Sequence, residues 1–299
     1  MKIGRLLTCY FVLTVALLAA SALAQSEGQT TPTLKFANVT VKGAAEVDTY
    51  AVNNAGVIAG DYIESSAVQH GVIINGKTVT TFDGPSGSTL ISAYGINNSN
   101  AVVGWYEDGS GIPTGFMYAG GKFAPVAYPK AIATEANGIN DNGWIVGSYF
   151  DAKSVEHGFY WDTKKYHAIN VKGAFATVAW AINNSNVITV YTLTSKGAAQ
   201  DSYLMTGTKL TKANVPGATA ATVHGIDTAG DLDYTIFDAS GNRHGVLYLA
   251  STKTYTQFDD TKGVIGTRAD GINDKLEMVG RYTPPGDTTN LGFKATTKE

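Results

Sequence analysis

His224, Asp233 and Asp270 are the residues best suited to acid–base chemistry in this chain. A carboxylate that orients an imidazole makes a general base, and a second carboxylate nearby can hold the resulting charge. Asp48, Glu135, Asn137 and Asp270 form a second set, oxygen donors of the kind that hold a hard cation such as calcium. Tyr50, Tyr94, Trp105, Trp180 and Tyr191, with Arg268 and Arg281, form a third. Tyrosine and tryptophan faces stack on sugar rings while charged groups bond hydroxyls, so this set suits ligand binding, a glycan above all. The familiar catalytic signatures are missing: no G-x-S-x-G, H-E-x-x-H, P-loop, G-x-G-x-x-G or C-x-x-C occurs. Asp227 to Asp233 is a loose acidic cluster without the spacing of an EF-hand loop.

These residues form groups only through the elements that carry them. A nucleus of the Gly-Ile-Asn type recurs at Val52, Ile96, Ile139, Ile182, Ile226 and Ile272, with spacings of 44, 43, 43, 44 and 46 residues. Period-two alternation divides the third copy into four strands. Strand A spans Thr134 to Ile139, and Asn140-Asp141-Asn142-Gly143 is a turn. Strand B spans Trp144 to Phe150, strand C Gly158 to Trp161 and strand D Tyr166 to Val171. Four strands in this length is the size of a propeller blade. The last copy stops after strand C, at Gly292-Phe293, while Leu34 to Ala44 reads like the strand D sequence from Lys165 to Ala174. The expected fold is therefore all-β, a six-bladed β-propeller over residues 34–299 with four-stranded blades. The N-terminal strand would complete the last blade and remove both free edges. An open β-solenoid is the competing architecture, and it would not need a strand split between the termini.

Strand A is the innermost strand of a propeller. Residues two before the nucleus would form a ring at the mouth: Tyr50, Tyr94, Asn137, Trp180, His224 and Asp270. Residues four before it add Asp48, Ser92, Glu135, Val178, Thr222 and Arg268. If Ile139 pairs with Trp144, strand B contributes Asp61, Trp105, Ser148, Tyr191, Thr235 and Arg281, though a bulge in the turn would turn strand B over. Asp233 stands where other copies carry Val103 and Val146, and this register places it across the strand pair from His224. The recurring asparagines, Asn53, Asn97, Asn140, Asn183 and Asn273 with Asp227, read as turn chemistry. His70, His157 and His244 precede a glycine in alternate copies, too far apart for one metal site.

Gly95-Ile96-Asn97-Asn98, Val102-Val103-Gly104-Trp105-Tyr106, His157-Gly158-Phe159 and Pro216-Gly217-Ala218 together resemble the HAF-type extracellular repeat of bacteria. That resemblance covers nearly all of the chain after residue 24. It implies secretion and repeat architecture, and it implies no reaction.

The first residues read as an address. Lys2 and Arg5 precede the apolar run Leu6 to Leu18, and Ala22-Leu23-Ala24 fits a cleavage site, so residues 1–24 are expected to be a signal peptide. Residues 25–33 are polar and expected to be disordered. Cleavage removes the chain's one cysteine and leaves no membrane anchor. Twenty basic residues then face 25 acidic ones, with no basic run, which argues against nucleic acid. The expectation is a secreted or periplasmic monomer, a binding module for a glycan or an extracellular protein, with no cofactor required. One alternative is a calcium-dependent hydrolase or lactonase with its site at the mouth, by analogy of fold. Another is a structural scaffold for protein partners.

Overall fold

The computed structural model describes residues 32–85, 87–260, 266–284 and 286–297. The expected signal peptide and residues 25–31 of the polar segment lie outside them. The described strands form six four-stranded antiparallel sheets. Their innermost strands are Ala44–Val52, Ser88–Ile96, Ala133–Ile139, Ala176–Ile182, Ala221–Ile226 and Arg268–Ile272, for blades 1 to 6. Each touches the next, and blade 6 touches blade 1, so the sheets close into a ring. The molecule is a six-bladed β-propeller. Leu34–Val39 pairs antiparallel with Leu291–Thr297 and supplies the outer strand of blade 6, as the split last copy requires. Valine and isoleucine from strands A and B fill the spaces between blades, for example Val146, Ile182, Ile188 and Val190 between blades 3 and 4.

Every strand A carries an extra residue. In blade 3, Ala136 pairs with Gly147 and Gly138 with Val146, so Asn137 is left out of the ladder. Ile139 therefore pairs with Ile145 and not with Trp144, while Glu135 still lies opposite Ser148. Tyr50, Tyr94 and Asp270 are left out in the same way in blades 1, 2 and 6. A bulge of this kind bends its strand and re-aims a side chain. It needs room on strand B. A Cβ on Gly147 would overlap the Glu135 carbonyl oxygen, and Gly60, Gly104 and Gly280 repeat that contact. Blades 4 and 5 carry Val190 and Tyr234 at this position, and there the ladder skips two residues, Trp180-Ala181 and His224-Gly225.

On the opposite face the asparagines do more than shape turns. Asn97 Oδ1 accepts the N–H groups of Ser99 and Ala101, which is the expected Asx geometry. Its Nδ2 reaches the next blade and donates to Asn140 O at 3.3 Å. Asn53 donates to Asn97 O, Asn140 to Asn183 O, Asn183 to Asp227 O, and Asn273 to Asn53 O. Asp227 has no amide with which to continue the circle to Asn273. Burial, followed by repulsion from Asp231 and Asp274, pushes its carboxyl up to about 6.

Two substitutions test these points. Gly147→Ala should cost about 1–3 kcal/mol through backbone overlap. Gly109→Ala, where nothing lies within 4 Å, serves as the neutral control. Equal melting temperatures for the two would contradict the bulge packing. Asp227→Asn should restore the sixth link and add about 1 kcal/mol near neutral pH. An acid whose folded pKa is raised favours folding most when protonated. Asp227's contribution is complete below about pH 4 and declines as the pH rises through about 6. The gain from D227N should thus grow from pH 4 to pH 7, as read by denaturant unfolding.

Candidate functional site

The bulges turn one residue per blade toward the axis at the mouth. Tyr50, Tyr94 and Trp180 meet there, with ring centroids 4.5 Å apart for Tyr50–Tyr94 and 5.4 Å for Tyr94–Trp180. The second contact joins blades 2 and 4 across blade 3. Trp105, Tyr191 and His224 extend the group at 6.2, 6.1 and 5.0 Å from their neighbours. Tyr50, Trp105 and Trp180 are only 5%, 4% and 7% exposed. These rings hold blades together, so Trp180 cannot be truncated without opening the core. Beneath them is a void of about 440 Å³, counting its open ends, bounded by Val52, Ile96, Ile139, Ile182, Ile226 and Ile272.

The charges lie mostly on the other side. Arg268 Nε donates to Asp270 Oδ1 at 2.6 Å, and its guanidinium lies 5.5 Å from the Trp180 ring centroid. Arg281 lies 4.9 Å from the Tyr50 ring centroid, with Asp48 at 3.5 Å and Asp270 at 3.8 Å. Asp48 pairs directly with Asp61 across the strands. Burial, then repulsion from Asp48, pushes Asp61 well above the usual carboxylate range. The oxygen donors proposed for calcium are arranged differently from an axial cage. Asp48 and Asp270 face arginine, and Asn137 Nδ2 donates to Ala179 O at 3.0 Å. The described residues include no group of three or more His, Cys, Asp or Glu that could hold a metal ion.

His224 and Asp233 do not bond to each other. The bulge turns His224 to blade 6, where Nδ1 donates to Ala269 O at 2.6 Å. Burial, with Arg268 close by, lowers its pKa to about 3, so the imidazole is neutral and weakly basic. Asp233 instead accepts the N–H of Gly225. Thr189 holds the equivalent position in blade 4 and accepts the N–H of Ala181 at 2.9 Å. These are the two blades where a side chain replaces the strand B glycine and the ladder pair is lost. The polar residue replaces the missing backbone acceptor. Burial pushes Asp233 up to about 7. The sequence signal was a joint substitution, Val-Gly becoming Thr-Val at Thr189-Val190 and Asp-Tyr at Asp233-Tyr234.

The rim histidines tie loops together. His70 bonds Asp83, His157 bonds Asn170 and Asp151, and His244 bonds Asp259. Sequence reasoning missed Glu156, which begins strand C of blade 3 at Glu156–Trp161. It also missed two buried atoms without hydrogen-bond partners, Asn137 Oδ1 and Ser148 Oγ.

No protein-family model and no curated protein matches the sequence. Solved structures do match in fold. A variant of the Aleuria aurantia lectin in complex with Fucα1-6GlcNAc superposes with a TM-score of 0.52 at 12% identity, covering 83% of this chain and 91% of the lectin. AofleA from Arthrobotrys oligospora gives a TM-score of 0.53 at 10% identity, covering 88% and 86%. TolB from Acinetobacter baumannii gives 0.55 at 8% identity, covering 81% of this chain and 64% of TolB. A further structure of the Aleuria lectin is described as a six-bladed β-propeller. At these identities the likeness is one of fold.

The role of Asp233 is separable by substitution. Asp233→Val leaves the Gly225 N–H without an acceptor and should cost about 1–3 kcal/mol. Asp233→Thr, the blade 4 solution, should lose less. The raised pKa makes Asp233 most favourable to folding below about pH 4, with that contribution fading as the pH rises to about 7. Stability of the threonine variant relative to wild type should therefore improve over the same range. A flat difference would contradict a buried, titrating Asp233.

Proposed function

We propose that the chain is an extracytoplasmic glycan-binding module, exported by residues 1–24 and acting on its ligand by recognition alone. The observation that carries this reading is the mixed composition of the mouth. Aromatic rings of blades 1, 2 and 4 meet there with the arginine–aspartate pairs of blades 6 and 1, Arg268 beside Trp180 and Arg281 beside Tyr50. Sugars present apolar ring faces and hydroxyl edges; the half-buried Tyr94 and Tyr191 suit the first and the half-buried Arg268 the second, while Trp105 and Trp180 are buried behind them. The shared fold with the Aleuria lectin, whose complex contains Fucα1-6GlcNAc, supports the reading. The arginines paired with Asp48 and Asp270 favour it over the calcium-dependent hydrolase, because a cation there would compete with guanidinium groups already in place.

A glycan array with the purified protein tests this. Saturable binding to a defined set of glycans is expected. Tyr191, half-buried at the mouth, is the informative substitution. Tyr191→Ala should weaken binding at least about tenfold, the effect of about 1.4 kcal/mol, with cooperative unfolding retained. Absence of binding to every glycan on the array would overturn the reading.

A further inference from the structure

Blades 6 and 1 meet at Arg281. It stands on strand B of blade 6, Met278–Tyr282, opposite Arg268, and its guanidinium lies over the Tyr50 ring of blade 1. Its Nη1 faces two carboxylates, Asp48 Oδ2 at 3.5 Å and Asp270 Oδ2 at 3.8 Å. Both distances exceed those of an N–H to oxygen hydrogen bond, about 2.7–3.2 Å. The pairing is therefore ionic and unfinished. Asp48 Oδ1, Asp270 Oδ2 and Arg281 Nη1 are buried atoms, and among the described residues none of the three has a hydrogen-bond partner. A buried ion pair is favourable only when further hydrogen bonds satisfy its remaining lone pairs and protons.

The neighbours of this group leave those atoms open. Arg268 Nε donates to the other oxygen of Asp270, Oδ1, at 2.6 Å, and the Tyr50 hydroxyl donates to Asp48 Oδ2 at 3.3 Å. Asp61 stands opposite Asp48 in the ladder. The Arg281 and Asp48 side chains keep 12% and 14% of their surface exposed, so the group lies just under the mouth and is not sealed in the core. A ligand carboxylate would be repelled by Asp48 and Asp270, and an ammonium by Arg268 and Arg281. A hydroxyl has one donor and two acceptor sites and suits both signs. Set beside the gap between Arg281 and Asp48, it accepts from Nη1 and donates to the carboxylate. A second hydroxyl does the same beside Asp270. Nη1 carries two N–H bonds, one for each, so both hydroxyls are brought to one nitrogen. Adjacent hydroxyls on one ring meet that requirement, and isolated ones do not.

We propose that Asp48, Arg281 and Asp270 form a subsite for two adjacent hydroxyl groups of a neutral sugar ring. Tyr94, half-buried and 4.5 Å from the Tyr50 ring centroid, faces the apolar side of that ring. The proposal rests on the glycan-binding reading and names the subsite and the sugar class.

Titration calorimetry on the whole protein tests it, with the methyl pyranosides of glucose, galactose, mannose and fucose and their 2-, 3- and 4-deoxy derivatives. At least one parent sugar should bind. Removing either hydroxyl of one adjacent pair, 2 and 3 or 3 and 4, should weaken it about tenfold or more, and removing the remaining one should change little. Asp48→Asn should bring the parent sugar down to the level of its deoxy form. Arg281→Lys, which keeps the charge and loses the fork, gives the same readout should the first variant fail to fold. Deoxy sugars that all bind as the parent does, or a preference that survives both variants, overturn the proposal. So do waters alone on these three side chains in a crystal structure of the complex. Array binding without affinity for any of the four parent sugars overturns the subsite but leaves glycan recognition standing. An empty array overturns both.

Discussion

One extra residue in each innermost strand governs much of this molecule. Strand A and strand B cannot stay in simple register, because the turn at the asparagine face and the pairing at the mouth differ by one position. The bulge absorbs that difference. It sets a glycine on strand B in four blades, where the strand A carbonyl closes on its Cα. It also decides what faces the axis, since the residue left out of the ladder is the one turned into the mouth. Tyr50, Tyr94, Asn137 and Asp270 each stand at that position.

Blades 4 and 5 show how the constraint can be met differently. Val190 and Tyr234 forbid the close approach, and the ladder opens by one more residue. A freed backbone N–H in a buried place needs an acceptor, because an unpaired polar group there costs as much as a lost hydrogen bond. Thr189 and Asp233 supply it. The carboxylate that looked most like half of a catalytic pair is thereby a structural acceptor. Its neighbour His224 is held neutral by burial and turned to another blade.

Much of the architecture was legible in the residues. The period, the four strands per copy and the missing final strand with its counterpart at Leu34 all follow from alternation and length, which are one-dimensional properties. The strand B residues at the mouth were also placed at the right level, Glu135 opposite Ser148, although the turn pairing of Ile139 with Trp144 was off by one. The bulge reconciles the two, and a bulge leaves only a weak mark in composition. The partnership of His224 with Asp233 failed for the same reason: pleat counting assigns a face, and a bulge reassigns it. Tyr50, Tyr94 and Trp180 could each be placed near the axis, but the ring contacts among them join blades and leave no mark in one copy of the repeat. The sequence also named both carboxyl groups nearest the arginines, but it could not show which arginine each would meet.

The pairing of Leu34–Val39 with Leu291–Thr297 has a temporal side. The ring cannot close until the last strand of the chain has been made, because the first strand has no partner before then. Five blades can assemble from neighbours in sequence, whereas the sixth needs contacts separated by nearly the whole length of the chain. Such contacts carry a large loop-closure entropy and fold slowly.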